Sequence, residues 1–250
     1  MGETPFRWLN VPVRPEVFTP DSLPQGFPGR ARYGVLGHPV AHSLSPSLHQ
    51  AAFAALGLEA EYLRVEVTAE QLAGAVPLLK KGGFRGWNCT LPHKNAMFSL
   101  VDEADASALE VKSVNTVKVE NGRLLGFSTD APGWRAAVEE HWGIHPEKNR
   151  IMILGCGGVG QTLAWSLVKS GCRSLTLVNR DPTKAQKLFE QLGATAAGRF
   201  PLRWVAWQSQ DLDQALYETD LLIQGTSLGL KAEDPLPVDP SKLPSGIRIY

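Results

Sequence analysis

Lys94 closes the segment Asn88-Cys-Thr90-Leu-Pro92-His-Lys94, in which Pro92 marks a helix start and places the lysine in the first turn. A cation there opposes the helix dipole, at a cost of a few tenths to about 1 kcal/mol, so stability alone favours an acid. The chemistry such a lysine offers is proton transfer. The ordinary reading is a solvated surface charge. A counterpart is Asp130, in Gly126-Phe-Ser-Thr129-Asp130 just before Pro132. Facing Lys94, its carboxylate would handle a proton on a substrate hydroxyl; otherwise it caps the helix that Pro132 opens, the commoner use of an Asp there.

Other polar groups also fall at helix starts and strand ends. In His42-Ser43-Leu-Ser45-Pro46, two hydroxyls two residues apart precede a helix. They can converge with the helix's free N–H groups on one carboxylate; the alternative is a plain N-cap by Ser45 with Ser43 in solvent. Asn115-Thr116 makes a further polar pair. The second half carries Gly155-Cys-Gly157-Gly158-Val-Gly160 between an apolar run and an apolar helix pattern (Thr162, Leu163, Ala164, Leu167, Val168). A strand, a tight glycine turn and a helix start let a diphosphate lie against backbone N–H groups. After the next strand, an acid would hydrogen-bond the ribose of NAD, whereas an arginine accommodates the 2′-phosphate of NADP. Asn179-Arg180, with Lys184 one turn on, favours NADP. Asp181 opposes it by repelling a phosphate, and a solvated face is the other reading of Arg180 and Lys184.

The elements that must position these residues follow from periodicity. Strand patterns cover 33–37, 61–67, 86–90, 114–119, 122–127, 151–155, 174–179, 202–206, 221–224 and 247–250. Helix patterns cover 45–56, 70–80, 92–101, 132–141, 162–170 and 183–192. Glu120-Asn121-Gly122 signals a hairpin. Alternating β and α units predict parallel sheets covered by helices. Six prolines (5, 12, 15, 20, 24, 28) mark residues 1–30 as an extended leader. A boundary is expected near 128–150, with the 132–141 helix bridging the halves.

At 250 residues, 43% hydrophobic and 20% charged, the chain can build a substantial core. Zero formal net charge argues against a nucleic-acid partner. Cys89, Cys156 and Cys172 form no disulfide framework, and no apolar stretch is long enough to span a membrane. Together these predict a cytoplasmic protein. His38, His42 and His49 lack compact ligand spacing, and His141 with His145 lacks the glutamate of a zinc-protease motif, so no metal site is expected.

In this order the segments resemble shikimate dehydrogenase, over about residues 33–250. They are Gly37-His-Pro39-Val-Ala-His42-Ser43-Leu-Ser45-Pro46-Ser-Leu-His49, Gly83-Phe-Arg-Gly86-Trp-Asn88-Cys-Thr90-Leu-Pro92-His-Lys94, Ser113-Val-Asn115-Thr116, Gly126-Phe-Ser-Thr129-Asp130, Gly155-Cys-Gly157-Gly158, Asn179-Arg180 and Gly225-Thr226-Ser227-Leu-Gly229. The resemblance implies an α/β enzyme with an N-terminal substrate-binding catalytic domain (31–130) and a Rossmann-type, parallel-sheet NADP-binding domain (131–250). Its active site would lie in the cleft between them. It implies reversible hydride transfer between NADP(H) and C3 of shikimate or 3-dehydroshikimate, in aromatic amino-acid biosynthesis.

Carried over by position, Ser43 and Ser45 would hold the carboxylate, and Asn88, Thr90, Asn115 and Asp130 the ring hydroxyls. Lys94, with Asp130, would transfer the proton. Gly155, Gly157, Gly158, Val159, Asn179, Arg180, Lys184 and Thr226 would bind NADP, with NAD a second possibility. The implied partner is the small-molecule substrate, for a monomer or homodimer. The chain departs from the family at Ser128 (usually Asn), Lys112 (usually Gly), Asp181 (usually Thr) and Gln224 (usually Asn). Ending at Tyr250, it is also expected to be C-terminally incomplete relative to the family. Quinate/shikimate or aminoshikimate dehydrogenase, and a non-catalytic shikimate- or NADP-binding module, are the alternatives.

Overall fold

A computed structural model describes residues 16–27, 29–207, 209–229 and 233–250. The chain divides into two compact units, up to Thr129 and from Asp130.

The first unit contains strands β1 (Val17–Phe18), β2 (Ala31–Gly37), β3 (Ala60–Glu66), β4 (Phe84–Cys89), β5 (Glu103–Ala104), β6 (Thr116–Glu120) and β7 (Arg123–Phe127). Helices α1 (Ser45–Ala55), α2 (Leu72–Lys81), α3 (Lys94–Phe98) and α4 (Ala106–Val111) connect them. The strands form one sheet in the order β1-β3-β2-β4-β6-β7-β5. It is mixed rather than parallel, because the tight Asn121-Gly122 turn makes β6 and β7 an antiparallel hairpin and β6 runs antiparallel to β4. Its main core packs Leu36, Leu63, Val65 and Trp87 against Leu72, Val76 and Leu79 of α2.

Residues 1–15 of the expected leader lie outside the described residues, and from Val17 onward its chain lies on the sheet. Val17 and Phe18 pair with Arg64 and Val65, and Pro20 is buried. The anchor is Arg32, whose guanidinium donates to the Pro24 carbonyl at 2.7 Å and to Gly82 at 2.8 Å. It also pairs with buried Glu61 at 2.7 Å.

The helix expected over 92–101 is shorter at both ends, running from Lys94 to Phe98, with Pro92 in the turn before it and not at its start. Asp102 then joins β7, its N–H donating to the Leu124 carbonyl at 2.9 Å while its carboxylate accepts the Leu124 N–H at 2.6 Å. Helix α4 has no counterpart in the sequence reading. It is capped by Asp105, which accepts from the Ala108 N–H, and ends on Lys112 in the left-handed region at φ 50°. A non-glycine residue there costs about 1–2 kcal/mol, and glycine's extra freedom in the unfolded chain returns about 0.5–1. Lys112→Gly is therefore expected to stabilise the protein by roughly 1 kcal/mol, seen as a higher midpoint in urea unfolding.

The second unit begins with helix α5 (Asp130–Trp142), followed by β8 (Arg150–Leu154), α6 (Gly158–Ser170), β9 (Ser174–Asn179), α7 (Pro182–Ala196), β10 (Leu202–Ala206), α8 (Gln210–Tyr217), β11 (Leu221–Gln224) and β12 (Arg248–Ile249). All five strands are parallel, in the order β10-β9-β8-β11-β12. This is one doubly wound sheet with a switch point beside β8, where ligands bind at the carboxyl ends of strands. Helix α8 is a further element that the sequence reading passed over. Ser209 caps it, and Leu212, Ala215 and Leu216 form its buried face. Helix α5 packs Ala131, Trp134 and Val138 into the core of this unit. The final strand is confined to 248–249, yet Tyr250 still bonds β11, its N–H donating to Leu222 at 2.9 Å.

Candidate active site

Topology gathers the polar residues of the first unit at one edge of its sheet. Parallel β2 and β4 end there, leading to Ser43 and Ser45 and to Thr90 and Lys94. The antiparallel β6 begins at the same edge, just after Asn115, and β7 ends there, just before Ser128 and Thr129.

At the start of α1, Ser45 is the first helical residue, not the cap. The Ser43 hydroxyl oxygen accepts the Ser45 N–H at 3.3 Å, which leaves its hydrogen to donate to a carboxylate. The Ser43 carbonyl is held by buried Arg64 at 3.0 Å. Thr90 is held by its backbone, its N–H donating to Leu36 at 2.9 Å. A Cβ added to Gly37 would come within 2.5 Å of the Thr90 methyl, so Gly37 gives Thr90 its space.

Asn88 and Asn115 meet directly. The Asn88 amide donates to the Asn115 carbonyl at 3.2 Å and to the Thr116 hydroxyl at 3.0 Å, and accepts from the Tyr62 hydroxyl at 2.6 Å. The Asn115 amide oxygen accepts the Thr129 N–H at 2.9 Å, and its NH2 donates to the Thr129 hydroxyl at 3.0 Å. Lys94 is half-buried, and its carbonyl accepts the Val114 N–H at 2.9 Å, tying its backbone to the Asn115 segment. A cleft of about 440 Å³ opens beside Asn88, lined also by Tyr33, His49, Phe53, Tyr62 and Thr129. Asp130 is the first residue of α5.

The glycine turn follows β8. Gly155 has φ 99°, and a Cβ there would stand 2.7 Å from the Gly225 carbonyl oxygen and 2.9 Å from the Thr226 methyl, so Thr226 lies against the turn. A Cβ on Gly160 would overlap the Gly155 carbonyl oxygen. Gly157 is exposed and a Cβ there meets nothing, so the N-terminus of the 13-residue α6 presents an open backbone face with Gly158 and half-exposed Val159. Free N–H groups at a helix start suit a diphosphate.

The groups after β9 divide by task. Asn179 braces the turn, its amide oxygen accepting the Cys156 N–H at 3.0 Å and its NH2 donating to the Asp181 carbonyl at 2.9 Å. Arg180 is exposed and makes no hydrogen bond or ion pair with the described residues. Asp181 caps α7, accepting the Thr183 N–H at 3.0 Å and hydroxyl at 2.6 Å, and those bonds hold its carboxyl below the usual range. Lys184 is exposed one turn on. Gln224, in place of the expected Asn, braces the loop containing Thr226, accepting its N–H at 3.0 Å. An open glycine turn beside a free guanidinium fits a dinucleotide with a 2′-phosphate.

Sequence reasoning left Gly160, Tyr62 and Thr129 out of the site. The Gly-x-Gly-x-x-Gly spacing was a signal for Gly160. Tyr62 had none, since its role depends on a partner 26 residues away.

These features have counterparts in known proteins. Residues 35–117 match the family model of the shikimate dehydrogenase substrate binding domain, and residues 138–231 that of shikimate / quinate 5-dehydrogenase. A shikimate dehydrogenase (NADP(+)) of Rubrobacter xylanophilus is 40% identical over 220 residues, covering 86% of this chain and 74% of the relative. The crystal structure of shikimate dehydrogenase from Aquifex aeolicus superposes with a TM-score of 0.79 at 32% identity, covering 89% of this chain and 79% of that one. That of shikimate 5-dehydrogenase from Thermus thermophilus, in complex with NADP(H) and shikimate, gives 0.74 at 37% identity, covering 86% and 75%. With both family models matched in order on the two units that carry the polar edge and the glycine turn, the chain belongs to the shikimate dehydrogenase family.

Proposed function

We propose that this protein is an NADP-dependent shikimate dehydrogenase, interconverting shikimate and 3-dehydroshikimate for aromatic amino-acid biosynthesis. The observation that carries the reading is the convergence of Ser43, Ser45, Asn88, Thr90, Lys94 and Asn115 on one sheet edge of a chain 40% identical to a named shikimate dehydrogenase (NADP(+)). Ser43 and Ser45 donate to the substrate carboxylate, assisted by the N–H groups of α1. Asn88, Thr90, Asn115 and Asp130 bind ring hydroxyls. When bound, NADP supplies or accepts the hydride at C3. Lys94 stabilises the negative charge that develops on the C3 oxygen and gives it a proton; in the oxidative direction it takes that proton away. Asp130 assists by accepting from the same hydroxyl.

The turn at Gly155, Gly157 and Gly158, with Val159 and Thr226 beside it, binds the diphosphate. Arg180 and Lys184 bind the 2′-phosphate, with Asn179 as brace. Three buried free cysteines suit a reducing cytoplasm, and no helix among the described residues is long and apolar enough to cross a membrane. The test is reduction of NADP with shikimate, followed by absorbance, with quinate and NAD as comparisons. Failure to turn over shikimate with either cofactor would sink the reading.

Asp181 bears on the choice of cofactor. An anion already sits on the start of α7, close to where a 2′-phosphate would meet Arg180. Asp181→Asn keeps a capping side chain and removes the repulsion. It is expected to lower KM for NADP by a factor of about 2–5, the scale of one exposed charge contact, and to leave KM for NAD nearly unchanged.

A further inference from the structure

We propose that Tyr62 is a positioning residue of the substrate site, fixing the Asn88 side chain so that Asn88 offers the substrate one acceptor lone pair and no donor. The inference rests on the reading of Asn88 as a substrate-binding residue.

The orientation of the Asn88 amide follows from its partners. A backbone carbonyl only accepts, so the group facing the Asn115 carbonyl at 3.2 Å is the NH2. Its second hydrogen goes to the Thr116 hydroxyl at 3.0 Å, which spends both donors. The oxygen then faces Tyr62, whose hydroxyl donates to it at 2.6 Å. An amide oxygen has two lone pairs, and Tyr62 occupies one. What remains accepts a hydrogen bond from a substrate hydroxyl and cannot donate to a keto oxygen. Asn88 thereby reads a ring hydroxyl present in both substrate and product, away from the carbon that changes oxidation state.

Tyr62 is built to hold this bond. Its ring lies flat on that of His49, 4.2 Å between centroids and 3° between planes. The residue is 4% exposed. Burial, with the nearby Cys89 thiol adding to it, pushes the phenol's pKa up and keeps it a donor.

A double-mutant cycle of Tyr62→Phe and Asn88→Ala tests the proposal, read by calorimetric Kd for shikimate and by steady-state kinetics. Tyr62→Phe retains the ring and its stack. It is expected to raise Kd and KM for shikimate about tenfold, the scale of one hydrogen bond. The loss falls on KM more than on kcat, and KM for NADP does not move. The double variant is expected to bind shikimate no worse than Asn88→Ala alone, because Tyr62 acts only through Asn88. A stability change common to both Tyr62 variants cancels in the cycle. Additive losses, or a wild-type Kd in Tyr62→Phe beside an impaired Asn88→Ala, would overturn the proposal. A wild-type Kd in Asn88→Ala would overturn it differently, by removing Asn88 from the site.

Discussion

Lys94→Ala is expected to lower kcat for shikimate oxidation by about 10²–10⁴-fold, the range of a positioned general acid–base group, while Kd for shikimate rises far less. The half-buried ammonium is the cationic donor this reading puts at the C3 oxygen. Without it, charge on that oxygen must be met by water. The substitution spares the fold around it: Lys94 holds the Asn115 segment through its backbone carbonyl, which accepts from Val114, and alanine keeps that bond. Lys94→Arg supplies charge but no base near neutral pH, since a guanidinium has no neutral form there to take up the hydroxyl proton. It should therefore bind shikimate and remain slow. Turnover by Lys94→Ala within a few-fold of the parent chain, measured under saturating NADP, would remove the lysine from the chemistry. Loss of shikimate binding with unchanged kcat would reassign it to holding the substrate.

The legible part of this site was its backbone context. Pro46 and Pro132 lie in the first turns of α1 and α5, Pro92 lies in the turn just before α3, and Gly155, Gly157 and Gly158 mark the turn into α6, so local steric rules place these junctions to within two residues. The strand–turn–helix at 151–170 follows from an apolar run meeting glycine. What escaped depended on partners remote in sequence. The segment from Val17 pairs with β3, and Arg32, in a buried pair with Glu61, collects its Pro24 carbonyl. Beyond the early close of α3, the Asp102 carboxylate accepts the Leu124 N–H of β7. Asp181 looked like a repulsive neighbour for a phosphate, and its place as the α7 cap shows why such a residue is tolerated there. Lys112 could be recognised as strained only through comparison with a family that has glycine, and the backbone bears that out at φ 50°.

Gly160 sets the second large expectation. Of the three spaced glycines, Gly155 turns the chain, Gly157 faces outward, and Gly160 lets α6 close on the turn, where any side chain meets the Gly155 carbonyl. Gly155 itself has little room to yield, since even a Cβ there would stand 2.7 Å from the Gly225 carbonyl oxygen and 2.9 Å from the Thr226 methyl. Gly160→Ala must therefore displace either the start of α6 or the Gly225–Thr226 loop, and both movements spoil the amide cluster offered to a diphosphate. The expected result is a loss of NADP affinity of at least about 10²-fold, together with destabilisation of about 1–3 kcal/mol, as for overpacking in a rigid core. Gly157→Ala is the informative contrast. Its methyl meets no protein atom, so stability should hold, while NADP binding falls because the methyl occupies the approach to the backbone. Calorimetric NADP titration and urea unfolding of both variants separate the cases: Gly160→Ala should lose on both axes, Gly157→Ala on binding alone. A Gly160→Ala protein with parental stability and NADP affinity would mean that α6 and the turn have room that this packing denies.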